Sequence, residues 1–155
     1  MFQPASGTKQ DPERRWALRD RAFFAHGGCH ILAGVYLTHL PRPGFHAERI
    51  IPDGPFPGNH VYVINGHITF DDRGYVERDR LLAWFTAQWR AQVSGWSGKV
   101  HAVDLDLLDS AALTARKMRG PDQYLYNPIP RARAVLAQKR HATVASFSVL
   151  EKSRG

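Results

Sequence analysis

Apolar residues follow two different periods along this chain. Between residues 29 and 40 almost every side chain is apolar, which is typical of a helix buried on most of its surface. Between residues 60 and 71 apolar and polar side chains alternate on either side of Asn65-Gly66, the strongest short signal for a β-hairpin with a two-residue type I′ turn. These patterns predict a buried helix and an antiparallel strand pair at the centre of the fold.

The two-residue turn sets a register for this hairpin. Ile64 pairs with His67, and counting outward places His60 directly opposite Asp71. Directly opposed residues have Cβ atoms about 5 Å apart, so we expect the His60 imidazole to hydrogen-bond the Asp71 carboxylate across the ladder. Because successive side chains point to opposite faces, one face is apolar and the other is largely polar. The apolar face holds Val61, Val63, Ile68 and Phe70, and the other face holds His60, Tyr62, Ile64, His67, Thr69 and Asp71.

Shorter signals place the remaining elements around this strand pair. Helices are predicted at 12–25, where Asp11 precedes a proline, at 77–93, at 109–118, and at 127–139, where Asn127 precedes a proline. Strands are predicted at 45–51, 99–104 and 142–150, and residues 52–59 are expected to form a loop. This order of elements favours an α+β fold in which helices flank a small antiparallel sheet.

Composition is typical of a single folded domain. The chain has 155 residues, of which 43% are hydrophobic and four are tryptophan, and this excludes a disordered chain. We expect flexible tails at residues 1–10 and 151–155. The single cysteine excludes an internal disulfide framework and a cysteine-rich zinc site. Because no apolar run reaches the length of a membrane span and the first residues lack the pattern of a signal peptide, we expect a cytoplasmic protein with no membrane partner.

The net charge of +7 belongs to the last third of the chain. Residues 111–155 contain nine Lys or Arg and two acids, whereas residues 1–110 contain twelve of each. This asymmetry favours a solvated basic surface and leaves open an acidic protein or a nucleic acid as a partner. The side chains that would form such a binding surface are Arg131, Arg133, Lys139 and Arg140, near Tyr124 and Tyr126.

Cys29 stands at a position where a thiol would be activated. It follows Gly27-Gly28 and opens the predicted buried helix, whose N-terminus lowers the pKa of a thiol and offers free N–H groups to an oxyanion. The two glycines would let a substrate backbone approach the sulfur. With His60 as general base and Asp71 as the group that orients the imidazole, Cys29 would complete a catalytic triad.

Neighbouring residues compete for these roles. Asp72 would replace Asp71 if a bulge or a longer turn shifted the register by one residue, whereas the period of two places Asp71 on the face of His60. His30 is expected to point about 100° away from Cys29 around the helix. His67 lies near the turn, and both histidines are interpreted as incidental.

The same residues form a pattern that resembles a known superfamily. GGC opens an apolar helix, and His60 is followed by VYVI, Asn65-Gly66, HITF and the run Asp71-Asp72-Arg73-Gly74, with an acidic helix start at 75–82. This pattern is similar to short bacterial and phage members of the papain-like and transglutaminase-like cysteine enzymes. The resemblance covers about residues 20–95, half of the chain.

The resemblance implies a helix carrying Cys29 that packs on an antiparallel sheet carrying His60 and Asp71. It also implies acyl transfer through a Cys29 thioester, from an amide, isopeptide or thioester of a protein or peptide-like substrate to water or an amine, and no cofactor is expected. Papain has a glutamine upstream of its cysteine that helps to form the oxyanion hole. No glutamine lies close before Cys29, and His26 is the candidate in its place. Peptidase, deamidase, amidase and transferase share the first half-reaction, so the choice among them stays open.

Two other classes of function compete with a cysteine enzyme. A zinc site would combine His26, Cys29, His30 and His60, although their spacing matches no established motif and we expect no bound metal. A binding module would keep the same fold without turnover and use the basic residues of 111–155 to hold a nucleic acid or an acidic partner. The hypothesis that unites most of these observations is the cysteine enzyme with Cys29, His60 and Asp71.

Overall fold

A five-stranded antiparallel sheet with helices packed on both faces forms the body of the protein. The computed structural model describes residues 3–40, 42–139 and 141. Its helices are α1 (Pro12–Trp16), α2 (Asp20–Ala25), α3 (Cys29–His39), α4 (Arg78–Arg90), α5 (Ser110–Ala115) and α6 (Pro128–Ala137), with 3₁₀ turns at Thr8–Gln10 and Pro121–Gln123. Its strands are β1 (His46–Pro52), β2 (His60–Ile64), β3 (Ile68–Asp71), β4 (Gly74–Glu77) and β5 (Gly98–Val103). The predicted α+β class is confirmed.

The strands lie in the order β4-β3-β2-β1-β5, and each neighbouring pair is antiparallel. The strands predicted at 45–51 and 99–104 are β1 and β5, which pair with each other. β2 and β3 are therefore interior strands with a partner on either side. Backbone hydrogen bonds on both edges hold these two strands, and with them His60 and Asp71, in fixed positions.

The hairpin between β2 and β3 has a different register from the predicted one. Val63 pairs with Phe70 and Ile64 pairs with Thr69, whereas a type I′ turn would place Val63 opposite Ile68. The strands are thus displaced by two residues. Because this displacement is even, each side chain keeps the face that the period of two predicted for it.

Asn65 explains the altered turn. Its side-chain oxygen accepts a hydrogen bond from the backbone N–H of Ile68 at 2.9 Å, and its own N–H donates to the Ile68 carbonyl at 3.1 Å. Asn65 does not adopt the positive φ that a type I′ turn requires. In the resulting register His60 is a diagonal neighbour of Asp71 rather than its direct partner, a separation that an imidazole can still bridge.

Apolar side chains cover both faces of the sheet. One cluster joins α3 and α6 to Val61, Val63 and Phe70, and a second joins α4 to Tyr62 and Ile64. Every residue of β2 and β3 is buried. The face that the sequence marks as polar is therefore enclosed beneath α4, and its polar side chains must find partners inside the protein.

The single helix predicted at 12–25 is two helices in the structure. Asp11 caps α1 as predicted, but α1 ends before α2 begins. The break coincides with Arg131 of α6, whose guanidinium donates to the carbonyl oxygens of Trp16 at 2.8 Å and Leu18 at 2.5 Å. Carbonyl groups at the end of a helix lack intrahelical partners, and Arg131 satisfies that of Trp16, while the Leu18 carbonyl lies in the segment between α1 and α2. A tertiary contact thus ends a helix that the local sequence would continue.

β4 was not predicted, and it occupies the beginning of the segment expected to start a helix at 75–82. Asp71 pairs with Gly74 across a tight turn, which returns the chain along β3 and pairs Phe70 with Tyr75. The helix predicted at 77–93 begins after this strand, as α4. The Asp-Asp-Arg-Gly run therefore forms a second hairpin, and β2, β3 and β4 make a continuous meander.

The segments expected as tails have different outcomes. Thr8–Gln10 forms a 3₁₀ turn in which Thr8 is buried, so part of the N-terminal segment packs against the body. The predicted strand at 142–150 and the tail at 151–155 lie outside the described residues. Within the described ranges, every helix falls short of the length and apolarity that a bilayer crossing requires.

Gly58, in the loop that leads to β2, has no room for a side chain. Its φ is +114°, and a Cβ at this position would lie 2.7 Å from the Trp89 indole of α4. We expect Gly58→Ala to lower the free energy of unfolding by about 2–4 kcal/mol, because backbone strain and steric overlap add.

Gly54→Ala in the same loop is the matched control. Its φ is +51°, and no described atom lies within 4 Å of a Cβ there, so we expect a loss of about 1 kcal/mol from backbone strain alone. Urea denaturation of both variants measures the difference. Equal losses would contradict the steric role of Trp89.

Candidate functional site

Cys29 is the first residue of α3 and is partly exposed. No described side chain caps the start of this helix, so its first N–H groups have no acceptor in the helix. A Cβ on Gly28 would lie 3.0 Å from the Phe23 ring and 3.1 Å from the Phe23 carbonyl oxygen. Gly28 therefore allows α2 to pack closely against the start of α3. The sequence had suggested a different role for this glycine, the approach of a substrate backbone to the sulfur.

His60 and Asp71 are in contact in the structure. Nε2 of His60 lies 3.0 Å from Oδ2 of Asp71, and their side chains are 5% and 2% exposed. The ring of Phe85, from α4, stacks on the imidazole with a centroid separation of 5.4 Å and an interplanar angle of 17°. The predicted His60–Asp71 contact is present, across a diagonal of the ladder, and Phe85 restricts the imidazole plane.

Three hydrogen bonds hold the Asp71 carboxylate. Besides the bond from His60, the backbone N–H of Arg73 donates to Oδ1 at 2.9 Å and the Arg73 guanidinium donates to Oδ2 at 3.2 Å. That guanidinium lies 3.6 Å above the centre of the Trp84 ring, which fixes its position. Burial alone would raise the pKa of Asp71, but the hydrogen bond from His60 and the charges of His60 and Arg73 lower it below its ordinary value. Asp71 is therefore ionised near neutral pH.

The Cys29 thiol hydrogen-bonds the imidazoles of His30 and His60. Because Asp71 occupies Nε2 of His60, Nδ1 is the ring nitrogen left for the thiol. Burial raises the pKa of Cys29, but hydrogen bonds and electrostatic interactions with His30 and His60 hold it well below its ordinary value. Burial lowers the pKa of His60, but its bonds to Asp71 and Cys29 raise it to about 10. Both shifts favour a thiolate paired with an imidazolium.

Asp72 differs from its neighbour Asp71 in its ionisation. It is 7% exposed, and burial together with the negative charge of Asp71 raises the pKa of Asp72 to about 7. Its backbone oxygen accepts a hydrogen bond from Lys139 at 3.2 Å. The two carboxyl groups that the sequence left as alternatives are therefore distinct: Asp71 is a paired carboxylate, and Asp72 takes up a proton near neutrality.

Two cavities meet at the Cys29–His60 pair. The first cavity, of about 620 Å³, reaches His60 along a mainly apolar wall from α2 and α4. The second cavity, of about 490 Å³, reaches Cys29 from the other side. Ala25, His26 and Phe85 line both cavities, so these share a border. The thiol faces one cavity and the imidazole faces the other, which leaves room for an extended ligand across the pair.

One set of side chains in the described part of the chain has the spacing of metal ligands. It consists of His60, Asp71 and Asp72, whose ligand atoms lie within 4.8 Å of one another. The sequence suggested a zinc site formed by Cys29 and three histidines. In the described part of the chain, these four residues do not form a group with the spacing of metal ligands. A cation would have to displace the His60–Asp71 hydrogen bond, and the Arg73 guanidinium already lies 3.2 Å from Asp71. The local charges therefore fit a triad better than a metal centre.

Sequence reasoning missed the contacts of His30 and Arg73. His30 donates through Nε2 to the Arg119 carbonyl at 2.6 Å and also bonds the Cys29 thiol, although it was interpreted as incidental. Helical side chains tilt toward the N-terminus, so neighbouring residues in the first turn of a helix can both reach groups beyond its end. The sequence already contains signals for both contacts. His30 stands in the first turn of the helix, and Arg73 stands two residues after Asp71 in a tight turn.

Several basic residues suggested as a nucleic-acid surface are engaged inside the chain. Arg131 pairs with Asp20 at 2.6 Å, and Lys139 donates to the backbone of the β3–β4 turn. Arg133 contacts α3 through its guanidinium. Arg140 lies outside the described residues. These contacts stabilise the packing of α6 and provide no separate argument for binding a nucleic acid.

Comparisons with protein families, with curated proteins and with solved structures gave no match for this chain. The papain-like resemblance of the sequence therefore stays a prediction. Function is inferred from the geometry of Cys29, His60 and Asp71 and from the cavities that border them.

The pH dependence of alkylation reports the ionisation of Cys29 directly, because the chain has no other cysteine. We expect the rate with iodoacetamide to depend far less on pH between about 6 and 9 than that of a free thiol, since the lowered pKa of Cys29 favours the thiolate. A free thiol with a pKa of about 8.5 loses roughly tenfold in rate per pH unit below that value. The shape of the pH profile, rather than the absolute rate, reports the ionisation of Cys29, because a thiolate of low pKa is also less nucleophilic.

His60→Gln is the matched variant for this profile. It removes the imidazolium that stabilises the thiolate, so we expect the profile to move toward that of free cysteine. A wild-type rate that falls tenfold per unit between about pH 8 and 6 would contradict the ion pair.

Asp71→Asn and Asp72→Asn should change stability in opposite directions at pH 8. The folded state holds the Asp71 proton less tightly than the unfolded chain, so the stability from Asp71 is present above pH about 4 and is lost as pH falls through its lowered pKa. The folded state holds the Asp72 proton more tightly, so stability is lost as pH rises from about 4 to 7.

We therefore expect Asp71→Asn to cost about 2 kcal/mol at pH 8, because it weakens hydrogen bonds to a charged acceptor, and Asp72→Asn to gain up to about 4 kcal/mol there, from a pKa raised from 3.8 to about 7. At pH 4 the gain from Asp72→Asn should nearly vanish, since the wild-type carboxyl is then protonated in the folded state and about half protonated in the unfolded chain. Denaturant titrations at the two pH values measure both effects. Destabilisation by Asp72→Asn at pH 8 would contradict its raised pKa.

Proposed function

We propose that this protein is a cysteine hydrolase or acyltransferase of the papain-like and transglutaminase-like kind. Its substrate would be an amide, isopeptide or thioester carbonyl. The observation that supports the proposal is the chain of contacts from the Cys29 thiol through His60 to Asp71, located where two cavities meet. The order of these residues in the sequence, and the packing of the helix that carries Cys29 against the strand that carries His60, agree with the resemblance.

In the first half-reaction the Cys29 thiolate attacks the carbonyl carbon of the substrate. A C–S bond forms, and the electron pair of the C=O bond moves to the oxygen. The backbone N–H of Cys29 has no helical acceptor and is the candidate donor to this oxyanion. His26, which borders both cavities, is the candidate for a second donor.

His60 handles the proton in both half-reactions. As an imidazolium it protonates the leaving nitrogen or sulfur while the bond from the carbonyl carbon to the leaving group breaks, and the acyl group remains on Cys29 as a thioester. As neutral imidazole it then takes the proton of an incoming water or amine, which attacks the thioester carbon. Breakdown of that intermediate releases the product and restores the thiolate and imidazolium.

Asp71 acts as the positioning residue for His60. Its Oδ2 accepts from Nε2, which directs Nδ1 to the sulfur, and its negative charge stabilises the imidazolium. Phe85 holds the ring plane by stacking, and Arg73 holds the carboxylate. The imidazole is thereby restrained on two sides before a substrate arrives, which lowers the cost of reaching a reactive geometry.

Acetylation by p-nitrophenyl acetate tests the proposal without a known substrate. We expect a burst of p-nitrophenol and the mass of one acetyl group on Cys29, followed by slow turnover as water removes the acetyl group. Cys29→Ala should abolish both. Asp71→Ala should slow deacetylation by about 10²-fold, because water attack needs a correctly oriented general base.

Asp72→Ala is the control, and we expect it to change deacetylation by less than about threefold, since Asp71 makes the bond to His60. If Asp72→Ala slowed deacetylation more than Asp71→Ala, Asp72 rather than Asp71 would be the residue that orients His60. Acetylation that is not faster than that of free cysteine, or an acetyl group that is never released, would refute an acyl-transfer enzyme.

A further inference from the structure

The second cavity carries positive charge without a described acid. Lys9, Arg49, Lys117 and Arg119 line it, together with His26 and His30, and none of its described lining residues is Asp or Glu. The first cavity, by contrast, is lined by Asp71 and Asp72 as well as by Arg19, Arg21 and Arg73. Of the two cavities, the second is the one whose described lining has cations and no carboxylate, and it is suited to an anion.

These four cations are not neutralised by the ion pairs of the described residues, which join other basic side chains to Asp or Glu. Arg49 donates to the uncharged amide oxygen of Asn59 at 2.9 Å. Arg119 donates to the backbone oxygen of Lys9 at 3.5 Å. Their positive charges therefore remain available to a ligand.

Two buried N–H donors from lining residues also lack an acceptor. Nε of Arg49 and Nε1 of Trp89 have no hydrogen-bond partner in the described part of the chain. A buried donor without an acceptor costs about 1–3 kcal/mol. Both donors belong to side chains that line the second cavity.

The guanidinium of Arg119 lies near the segment that leads into Cys29. Its NH1 would lie 3.8 Å from a Cβ placed on Gly27, two residues before Cys29. Arg15 and Arg119 lie 5.4 Å and 5.6 Å from the centre of the same Tyr124 ring. Burial and the charge of Arg119 lower the pKa of Arg15. An anion beside Arg119 would relieve this repulsion between cations.

We propose that the second cavity binds a carboxylate of the substrate, next to the carbonyl that Cys29 attacks, with Arg49 and Arg119 as its main ligands. A guanidinium matches the geometry of a carboxylate and binds it through two parallel hydrogen bonds. This inference rests on the proposed function and narrows its substrate class. The preferred substrates are peptide-like amides with an acidic side chain or a free C-terminal carboxylate on this side of the scissile bond.

Iodoacetate and iodoacetamide test the site, because they alkylate the same sulfur and differ in carrying a carboxylate or an amide. We expect the ratio of the iodoacetate rate to the iodoacetamide rate to be at least about tenfold higher for Cys29 than for free cysteine at the same pH. The ratio should fall as salt is raised from about 0.05 M to 0.5 M, since salt screens the cations. A ratio equal to that of free cysteine would overturn the inference.

Arg49→Gln and Arg119→Gln should each lower this ratio by about threefold or more. Because both reagents alkylate the same sulfur, a change in thiol reactivity common to both cancels in the ratio. Arg116→Gln is the matched control, because Arg116 lies outside the second cavity, is half-exposed and pairs with Asp104 at 3.7 Å. We expect it to leave the ratio unchanged. An equal fall in all three variants would indicate a general effect of net charge and would also overturn the site.

Protection against iodoacetamide identifies the source of the carboxylate. N-acetyl-alanine offers a C-terminal carboxylate, and N-acetyl-glutamic acid α-amide offers one on a side chain. If either compound slows alkylation of Cys29, the result supports the site and shows which kind of carboxylate it binds. If neither compound slows alkylation, the result counts against the site. The pH profile with iodoacetamide keeps the two proposals separate. A flat profile with an unchanged ratio would overturn this inference alone, whereas a raised ratio with a free-thiol profile would keep the anion site and refute the enzyme.

Discussion

A buried imidazolium needs partners, because removing a cation from water without compensation costs several kcal/mol. His60 finds them on two sides, in Asp71 at 3.0 Å and in the Cys29 thiol. These contacts join β2, β3 and the start of α3. The interaction that would activate the thiol is therefore also one that ties the central helix to the sheet, and stability and reactivity depend on the same pair of charges.

Helices enclose the sheet on both faces, and this burial strengthens the interactions among the charges of the site. α4 covers the face that carries His60 and Asp71, and α3 covers the other. In such surroundings electrostatic interactions are stronger than in water, so small differences in partners separate neighbouring groups. Asp71 has three donors and stays charged, whereas Asp72 has the adjacent charge of Asp71 against it and holds its proton to about neutral pH. Arg73 completes the local balance of charge.

Features that depend on a few neighbouring residues were predictable. The apolar run predicted α3, the alternation predicted β2 and β3 and the face of each residue, and Asp11 and Asn127 cap the helices that they precede. One prediction failed where a distant group intervened, since Arg131 ends α1 from more than one hundred residues away. Another failed within the turn itself, because the Asn65 side chain bonds Ile68 and replaces the expected turn.

The sequence by itself determined that His60 and Asp71 share a face and that Cys29 opens a buried helix, because period and capping act within a few residues. The tertiary structure alone decided that His30 and His60 reach the thiol and that cations far apart in the sequence line one cavity. Lys9 and Arg119 are 110 positions apart and yet share that cavity. Charges, pKa values and cavities depend on which distant groups packing brings together, and no local pattern encodes that.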